Sequence, residues 1–114
     1  MDFDTLRDYC LSLPNTEEKT PFDEDTLVFY VSGKIFCLTS ISRFESINLK
    51  CDPLRAIELR EEYPGVVLPG YHMNKKHWNT VRVGAGVRRE TLLQWVRDSY
   101  DLVVAGLPKS KRKS

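Results

Sequence analysis

Two short segments rich in β-branched and aromatic residues flank a tight turn, and no other part of the sequence restricts the fold as strongly. The segments are residues 27–31 and 35–39, and Ser32-Gly33 supplies the turn between them. Such residues favour extended backbone, and a turn this short joins only antiparallel neighbours. The sequence therefore predicts an antiparallel hairpin to which the other elements must be fitted.

Amphipathic spacing predicts three helices around this hairpin. Apolar residues recur every three or four positions over residues 3–13, with Asp2 as N-cap, and Pro14-Asn15 ends the helix. A second helix begins at Asp52-Pro53 and stops at Pro64-Gly65, and a third spans about 88–105. Residues 16–25 are predicted to form a polar loop.

Three further segments are predicted to be strands: 46–50, 66–68 and 79–83. In the first, Ile47 and Leu49 should face the core. The resulting order, α-β-β-β-α-β-β-α, predicts an α+β fold of two layers, with helices on one face of a mainly antiparallel sheet. The other face should be open to water. We expect one domain over residues 1–108 and a basic, disordered tail at 109–114.

Composition excludes several classes of protein. The 114 residues are 41% hydrophobic and 29% charged, which is typical of a globular domain. No apolar run approaches the roughly 18 residues of a transmembrane helix, and the acidic start is unlike a signal peptide. We therefore expect a cytoplasmic protein without a membrane partner. Three cysteines, an odd number without a C-x-x-C pair, favour reduced thiols.

Charge is distributed unevenly although the net charge is only +1. Residues 1–26 are strongly acidic, whereas Tyr63 to Arg89 contains five Lys or Arg and no Asp or Glu. A basic region of this kind indicates an anionic partner, such as nucleic acid.

The densest polar and aromatic segment is 71–80. It contains His72, His77 and Trp78. If Val81 and Val83 point inward, Trp78, Thr80 and Arg82 lie on the opposite face, as do Asn48 and Lys50. An exposed indole among Lys and Arg side chains would suit phosphate contacts with base stacking. The alternative is scaffolding, in which Trp78 covers a sheet edge and Lys75-Lys76 is a solvated loop.

Other chemistries receive less support. His72 and His77 are five residues apart, which suits neither a helical pair nor a zinc finger, so we expect no metal. Cys51 precedes a helix N-terminus, but Asp52 opposes thiolate formation, and a buried structural thiol is the better interpretation. Gly84 and Gly86 do not form a phosphate-binding loop. We expect no cofactor.

Several longer motifs resemble the MmcQ/YjbR-like family of small bacterial proteins. They are NLKCDP at 48–53, YPG at 63–65, PGYHMNKKHWNTV at 69–81 and SYDLVVAGLPK at 99–109. The resemblance implies an α-β3-α-β2-α domain related in shape to type III secretion chaperones and to the frataxin-like CyaY fold. It implies no established reaction or cofactor.

The resemblance also implies a "double wing" DNA-binding motif. Residues are carried over only where the motif matches: Lys50, Tyr71, His72, Asn74, Lys75, Lys76, His77, Trp78 and Asn79. Together with Arg82 they form the predicted nucleic-acid or anion site. Residues 84–89 depart from the family pattern by being more basic.

Three hypotheses follow. The first is a non-catalytic module that binds DNA or another polyanion. The second is a chaperone-like module that binds a protein partner, which rests on fold analogy alone. The third is an enzyme that uses His72 or His77 as an acid–base group.

Overall fold

The predicted hairpin lies within a six-stranded antiparallel sheet in the computed structural model, which describes residues 1–70 and 73–108. The strand order is β1-β2-β3-β4-β6-β5. In chain order, the elements are α1 (Phe3–Ser12), β1 (Thr16–Lys19), β2 (Thr26–Val31), β3 (Lys34–Ser40), β4 (Ser46–Lys50), α2 (Pro53–Glu62), β5 (Val67–Pro69), β6 (Trp78–Arg82) and α3 (Arg89–Ala105). The α+β prediction is confirmed.

The helix starts and the hairpin turn follow from local chemistry. Asp2 accepts a hydrogen bond from the Thr5 N–H at 2.8 Å, and Asp52 caps α2 with Pro53 in the first helical position. Ser32 and Gly33 both adopt positive φ angles, 48° and 81°, as the tightest hairpin turns require.

The helices cover one face of the sheet, as predicted. Their apolar sides and the inward residues of the strands form the main core, which includes Leu6, Phe29, Phe36, Ile47, Leu49, Val81, Leu92 and Val96. A smaller apolar cluster of Val28, Leu38 and Trp78 lies on the opposite face. We call this opposite face, which carries no helix among the described residues, the open face.

A serine of α3 completes the sheet ladder between β3 and β4. The last paired residues there are Cys37 and Leu49, beyond which the strands separate. The Ser99 hydroxyl, fully buried, donates to the Phe36 carbonyl at 2.6 Å and accepts from the Lys50 N–H at 2.8 Å. Two backbone groups that would otherwise be buried without partners are thus satisfied.

The polar loop predicted at 16–25 is wrong in its first part. Residues Thr16–Lys19 form the edge strand β1, which pairs with β2 from Thr16↔Val31 to Lys19↔Val28. Glutamate and lysine favour strands weakly, so the sequence carries little local signal. Pairing with β2, and the 2.6 Å ion pair from Arg7 of α1 to Glu18, supply what the local sequence lacks.

Two further expectations concern a membrane-spanning helix and the C-terminal tail. None of the helices that the structure describes has the length and apolar character needed to span a bilayer. The predicted tail, 109–114, lies outside the described residues.

Candidate functional site

The open face of β4 and β6 presents three rows of paired side chains. The pairs across the two strands are Lys50↔Trp78, Asn48↔Thr80 and Ser46↔Arg82. Their neighbours Ile47, Leu49 and Val81 are buried in the main core, so the predicted orientation of both strands is confirmed. The Thr80 hydroxyl donates to the Asn48 side-chain oxygen at 2.6 Å, which ties the middle row together.

Trp78 lies on the predicted face, but its ring is not exposed. Only 7% of the residue is accessible, because it packs with Val28 and Leu38 beneath the partly buried Met73. Gly70 lies against it so closely that a Cβ there would come within 2.9 Å of the Trp78 Cβ. The expectation of an exposed indole for base stacking is therefore wrong. Strand alternation sets the face of a side chain, whereas the loop before β6 decides whether it is covered.

Asn79 belongs to the opposite side of the sheet and is only 2% exposed. Its Oδ1 accepts a hydrogen bond from the Arg60 Nε at 2.7 Å, and its Nδ2 donates to the Ala56 carbonyl at 3.4 Å. Its predicted role as a binding residue is not supported, because the side chain is used to hold α2 against β6.

Arg60 is a structural residue that the sequence reasoning missed. Besides Asn79, its guanidinium donates to the carbonyls of Lys75 and Trp78, the latter at 3.3 Å. A forked, permanently charged donor suits several acceptors at once. Its position in the last turn of α2 is the one sequence signal, since basic residues favour helix C-termini.

The turn before β6 is held mainly by its own backbone. The Asn74 carbonyl accepts from the N–H groups of His77 and Trp78, and the Asn74 side chain accepts from the Lys76 N–H at 2.9 Å. The His77 carbonyl accepts from the Cys51 N–H at 2.7 Å, which joins the turn to the end of β4. Asn74 is exposed and His77 half-buried, while the predicted site residues Tyr71 and His72 lie outside the described residues.

The basic side chains of the predicted site lie at two ends of the β4–β6 pair. Lys75 and Lys76 are exposed in the turn at one end, where Lys50 stands opposite Trp78. Arg82 is exposed four residues further along β6, at a Cα distance of about 13 Å from Trp78. Its Nη1 is 3.5 Å from the Gly65 carbonyl.

The other two arginines of the acid-free stretch lie elsewhere. Arg88 is 4.0 Å from a carboxylate oxygen of Glu90. The pKa of the Asp2 carboxyl group is lowered mainly by hydrogen bonds from Thr5, and Arg89 lies close enough to lower it further. The stretch from 63 to 89 is therefore not a single basic surface. Its cations divide between the open face and the helical layer.

The cysteines give no sign of nucleophilic chemistry. Cys10 and Cys37 are fully buried, and the pKa of the Cys10 thiol is raised by its hydrogen bond to Cys37 and by burial. Burial also raises the pKa of the half-buried Cys51 thiol. Within 1–70 and 73–108, no three His, Cys, Asp or Glu side chains are grouped as metal ligands would be.

Comparison with known proteins places the chain among small bacterial relatives. The model of the YjbR family matches residues 11–102. The chain is 41% identical to the uncharacterised protein YbdF of Escherichia coli O157:H7, over 96% of this chain and 90% of that protein. It is 29% identical to the uncharacterised protein YjbR of Escherichia coli K12, over 99% of this chain and 96% of that protein.

Solved structures share the fold. The crystal structure of the Deinococcus radiodurans protein DR2400, which carries the domain DUF419, superposes with a TM-score of 0.88 at 43% identity, covering 96% of this chain and 83% of that one. A Pseudomonas syringae protein superposes with a TM-score of 0.75 at 28% identity, covering 90% and 98% of the two chains.

Proposed function

Because this chain belongs to the YjbR family, and the relatives compared are themselves uncharacterised, we propose a function from its own surface: it is a non-catalytic domain that binds a polyanion along the open face. We favour DNA as the polyanion.

One observation carries the proposal. Among the outward-facing residues of β4, β5 and β6, the charged ones are Lys50 and Arg82, and none is a carboxylate. Lys75 and Lys76 add positive charge at the Lys50 end of the pair, in the turn before β6. Between the cations, Ser46, Asn48 and Thr80 offer hydroxyl and amide groups of the kind that contact phosphate and sugar.

The burial of Trp78 determines which contacts can supply the affinity for DNA. With the indole packed into the small apolar cluster, base stacking on it is excluded, so phosphate contacts should supply most of the affinity. Such contacts release counterions and carry little sequence information. We expect weak sequence preference and an affinity that falls steeply with salt. For four cations, the log–log slope should be about −3.6 with duplex DNA and about −2.8 with single strands.

Fluorescence anisotropy with labelled DNA of mixed sequence, single-stranded and duplex, tests the proposal across a salt series. Arg82→Ala should weaken binding and reduce the magnitude of the slope by about one, and Lys75→Ala/Lys76→Ala by about two. All variants are made in the full chain, so that the basic tail is common to them.

Arg88→Ala is the matched control, because Arg88 is exposed but lies at the start of α3 in the helical layer. It should leave the slope unchanged. Absence of binding at low salt would refute the proposal, and an equal loss in the Arg88 and Arg82 variants would show that binding is not located on the open face.

Exposed apolar residues on α2 favour a second candidate, a protein-interaction module that self-associates. Leu54 and Ile57 are 75% and 48% exposed, and their three-residue spacing brings them to one side of the helix. Sedimentation velocity should then show a dimer that Leu54→Glu/Ile57→Glu dissociates. A wild-type chain that remains monomeric at high concentration would remove this candidate.

A further inference from the structure

The sheet order places one strand beneath the gap between two helices. β6 lies between β4 and β5. α3 packs on β3 and β4, whereas α2 packs on β5. The gap between the two helices therefore lies over β6, on the side of the sheet opposite to the open face.

This gap contains a cavity of about 200 Å³, which we call the interhelical cavity. Its inner part is apolar. It is lined by Leu49 and Val81 from the sheet, Leu59 from α2, and Trp95 and Leu102 from α3. An apolar cavity of about 150 Å³ is large enough to take up benzene. The interhelical cavity thus has room for one aromatic ring.

The polar groups in its floor and the aromatic group in its wall already have partners. Asn79 is hydrogen-bonded to Arg60 and Ala56, so a ligand need not supply a hydrogen bond to it. Trp95 is fixed by an edge-to-face contact with Tyr63, whose ring centroid is 5.2 Å away. The inner part therefore offers shape and apolar surface, which favour the burial of a hydrocarbon group.

The mouth of the interhelical cavity carries two carboxylates and one guanidinium group. Lys50 also lines the cavity, but its strand position turns the ammonium group to the open face, opposite Trp78. Asp52, Arg55 and Asp98 lie there around Cys51, close enough to influence its thiol. Arg55 is already shared between Glu62, at 3.2 Å, and Glu58, at 3.5 Å. Neither Asp52 nor Asp98 has a described lysine or arginine within ion-pair distance, and each uses one oxygen for a hydrogen bond within its own helix region.

We propose that the interhelical cavity binds a compact, ring-sized apolar molecule that carries a primary amine. The ring occupies the apolar interior, and the ammonium group lies at the mouth beside Asp98 and Asp52. A carboxylate in the same position would meet two like charges and only a cation that two glutamates already neutralise. The site is separate from the open face and does not depend on the DNA proposal.

Cys51 provides a reporter at the mouth. Cys10 and Cys37 are fully buried, so in the native protein a thiol reagent should modify Cys51 first. 2-Phenylethylamine is the probe, and 3-phenylpropionate, of similar size and opposite charge, is the matched control. At about ten times its dissociation constant, the amine should slow modification about tenfold.

Asp98→Asn should reduce this protection. Asp101→Asn should not, because Asp101 lies three residues further along α3 and is paired with Arg97. Amide and methyl shifts in NMR spectra should change at Leu49, Val81 and the Trp95 indole upon addition of the amine. Absence of both protection and shift changes with either probe would overturn the site. Equal protection by 3-phenylpropionate would overturn the assignment of charge.

Discussion

At the scale of single residues, the hydrogen bonds of a few buried polar groups determine how the elements are joined. Ser99 bridges β3 and β4, and Asn79 with Arg60 joins α2 to β6. Within the described part of the chain, no buried side-chain nitrogen or oxygen lacks a hydrogen-bond partner. Removing one partner should therefore leave another buried group unsatisfied, which costs more than the bond itself contributes.

Ser99→Ala should lower the free energy of unfolding by about 1–3 kcal/mol, because the Phe36 carbonyl and the Lys50 N–H would lose their shared partner. Urea denaturation measures this change. Ser12→Ala is the control: its exposed hydroxyl bonds only to the Tyr9 carbonyl, so its loss should stay within about 0.5 kcal/mol. Equal losses in the two variants would contradict the bridging role.

Arg60→Lys should destabilise the chain by about 2 kcal/mol although it keeps the charge, because an ammonium group cannot reproduce the fork that reaches Asn79, Lys75 and Trp78. Thermal or urea unfolding of Arg60→Lys and Arg60→Ala measures the effect. If the lysine variant were as stable as the wild type, charge rather than geometry would explain the residue.

The same residues show what the sequence could and could not predict about the site. The alternation that turns Val81 inward turns Asn79 inward as well. Strand alternation alone could therefore have predicted that Asn79 has a structural role. Trp78 is different. Its face was predictable, but its burial depends on Met73 and Gly70 in a loop whose path no local pattern determines.

At the scale of elements, the acidic loop between β1 and β2 is hydrogen-bonded to the connection between β3 and β4. Asp25 accepts from the Ser40 hydroxyl at 2.5 Å and from the Ser42 N–H at 2.8 Å. Asp23 accepts from the N–H groups of Asp25 and Thr26 at 2.8 and 2.7 Å. These bonds favour the ionised carboxylates and lower the pKa of both groups from the ordinary value of 3.8.

Acid should therefore loosen this loop. Because the pKa of Asp25 is lower in the folded state than in the unfolded one, its contribution to stability is fully present above pH 3.8 and is lost as the pH falls through the folded value. An NMR titration should give midpoints below 3.8 for Asp23 and Asp25, with the Ser42 amide shift following Asp25. A midpoint at or above 3.8 would contradict these bonds.

Elements were predictable wherever local pattern and packing agree. The caps Asp2 and Asp52, the Ser32-Gly33 turn and the inward Ile47 and Leu49 all carry a local signal that the structure confirms. β1 carries none, because its four residues become a strand only by pairing with the edge of β2. Edge strands that depend on tertiary pairing are where sequence patterns are least informative.

At the scale of the whole molecule, the sheet separates two surfaces that carry different proposed sites. The β4–β6 part of the open face carries Lys50 and Arg82, whereas the helical layer carries Arg88 and the interhelical cavity with Asp52 and Asp98 at its mouth. Charge counted along the sequence could not reveal this division, because Arg82 and Arg88 are near neighbours in the chain but lie on different layers. Only the fold assigns each cation to a surface.

The two proposed sites should therefore act independently. Saturation with 2-phenylethylamine should change the affinity for DNA by less than about twofold, since Lys50 alone belongs to both sites and its side chain turns to the open face. Anisotropy titrations with and without the amine measure this. The nearest point of connection is the end of β4, where Lys50 and Cys51 are adjacent, and a larger effect would locate coupling there.

The serine inserted between β3 and β4 also determines how the sheet can open. Lys50 is the last residue of β4, a position where fraying would ordinarily exchange an amide hydrogen with solvent rapidly. Its N–H is instead held by a hydroxyl that belongs to α3, so deuterium should enter when the contact between β4 and α3 opens. The exchange rate of this one amide therefore measures how often the end of the strand and the helix separate.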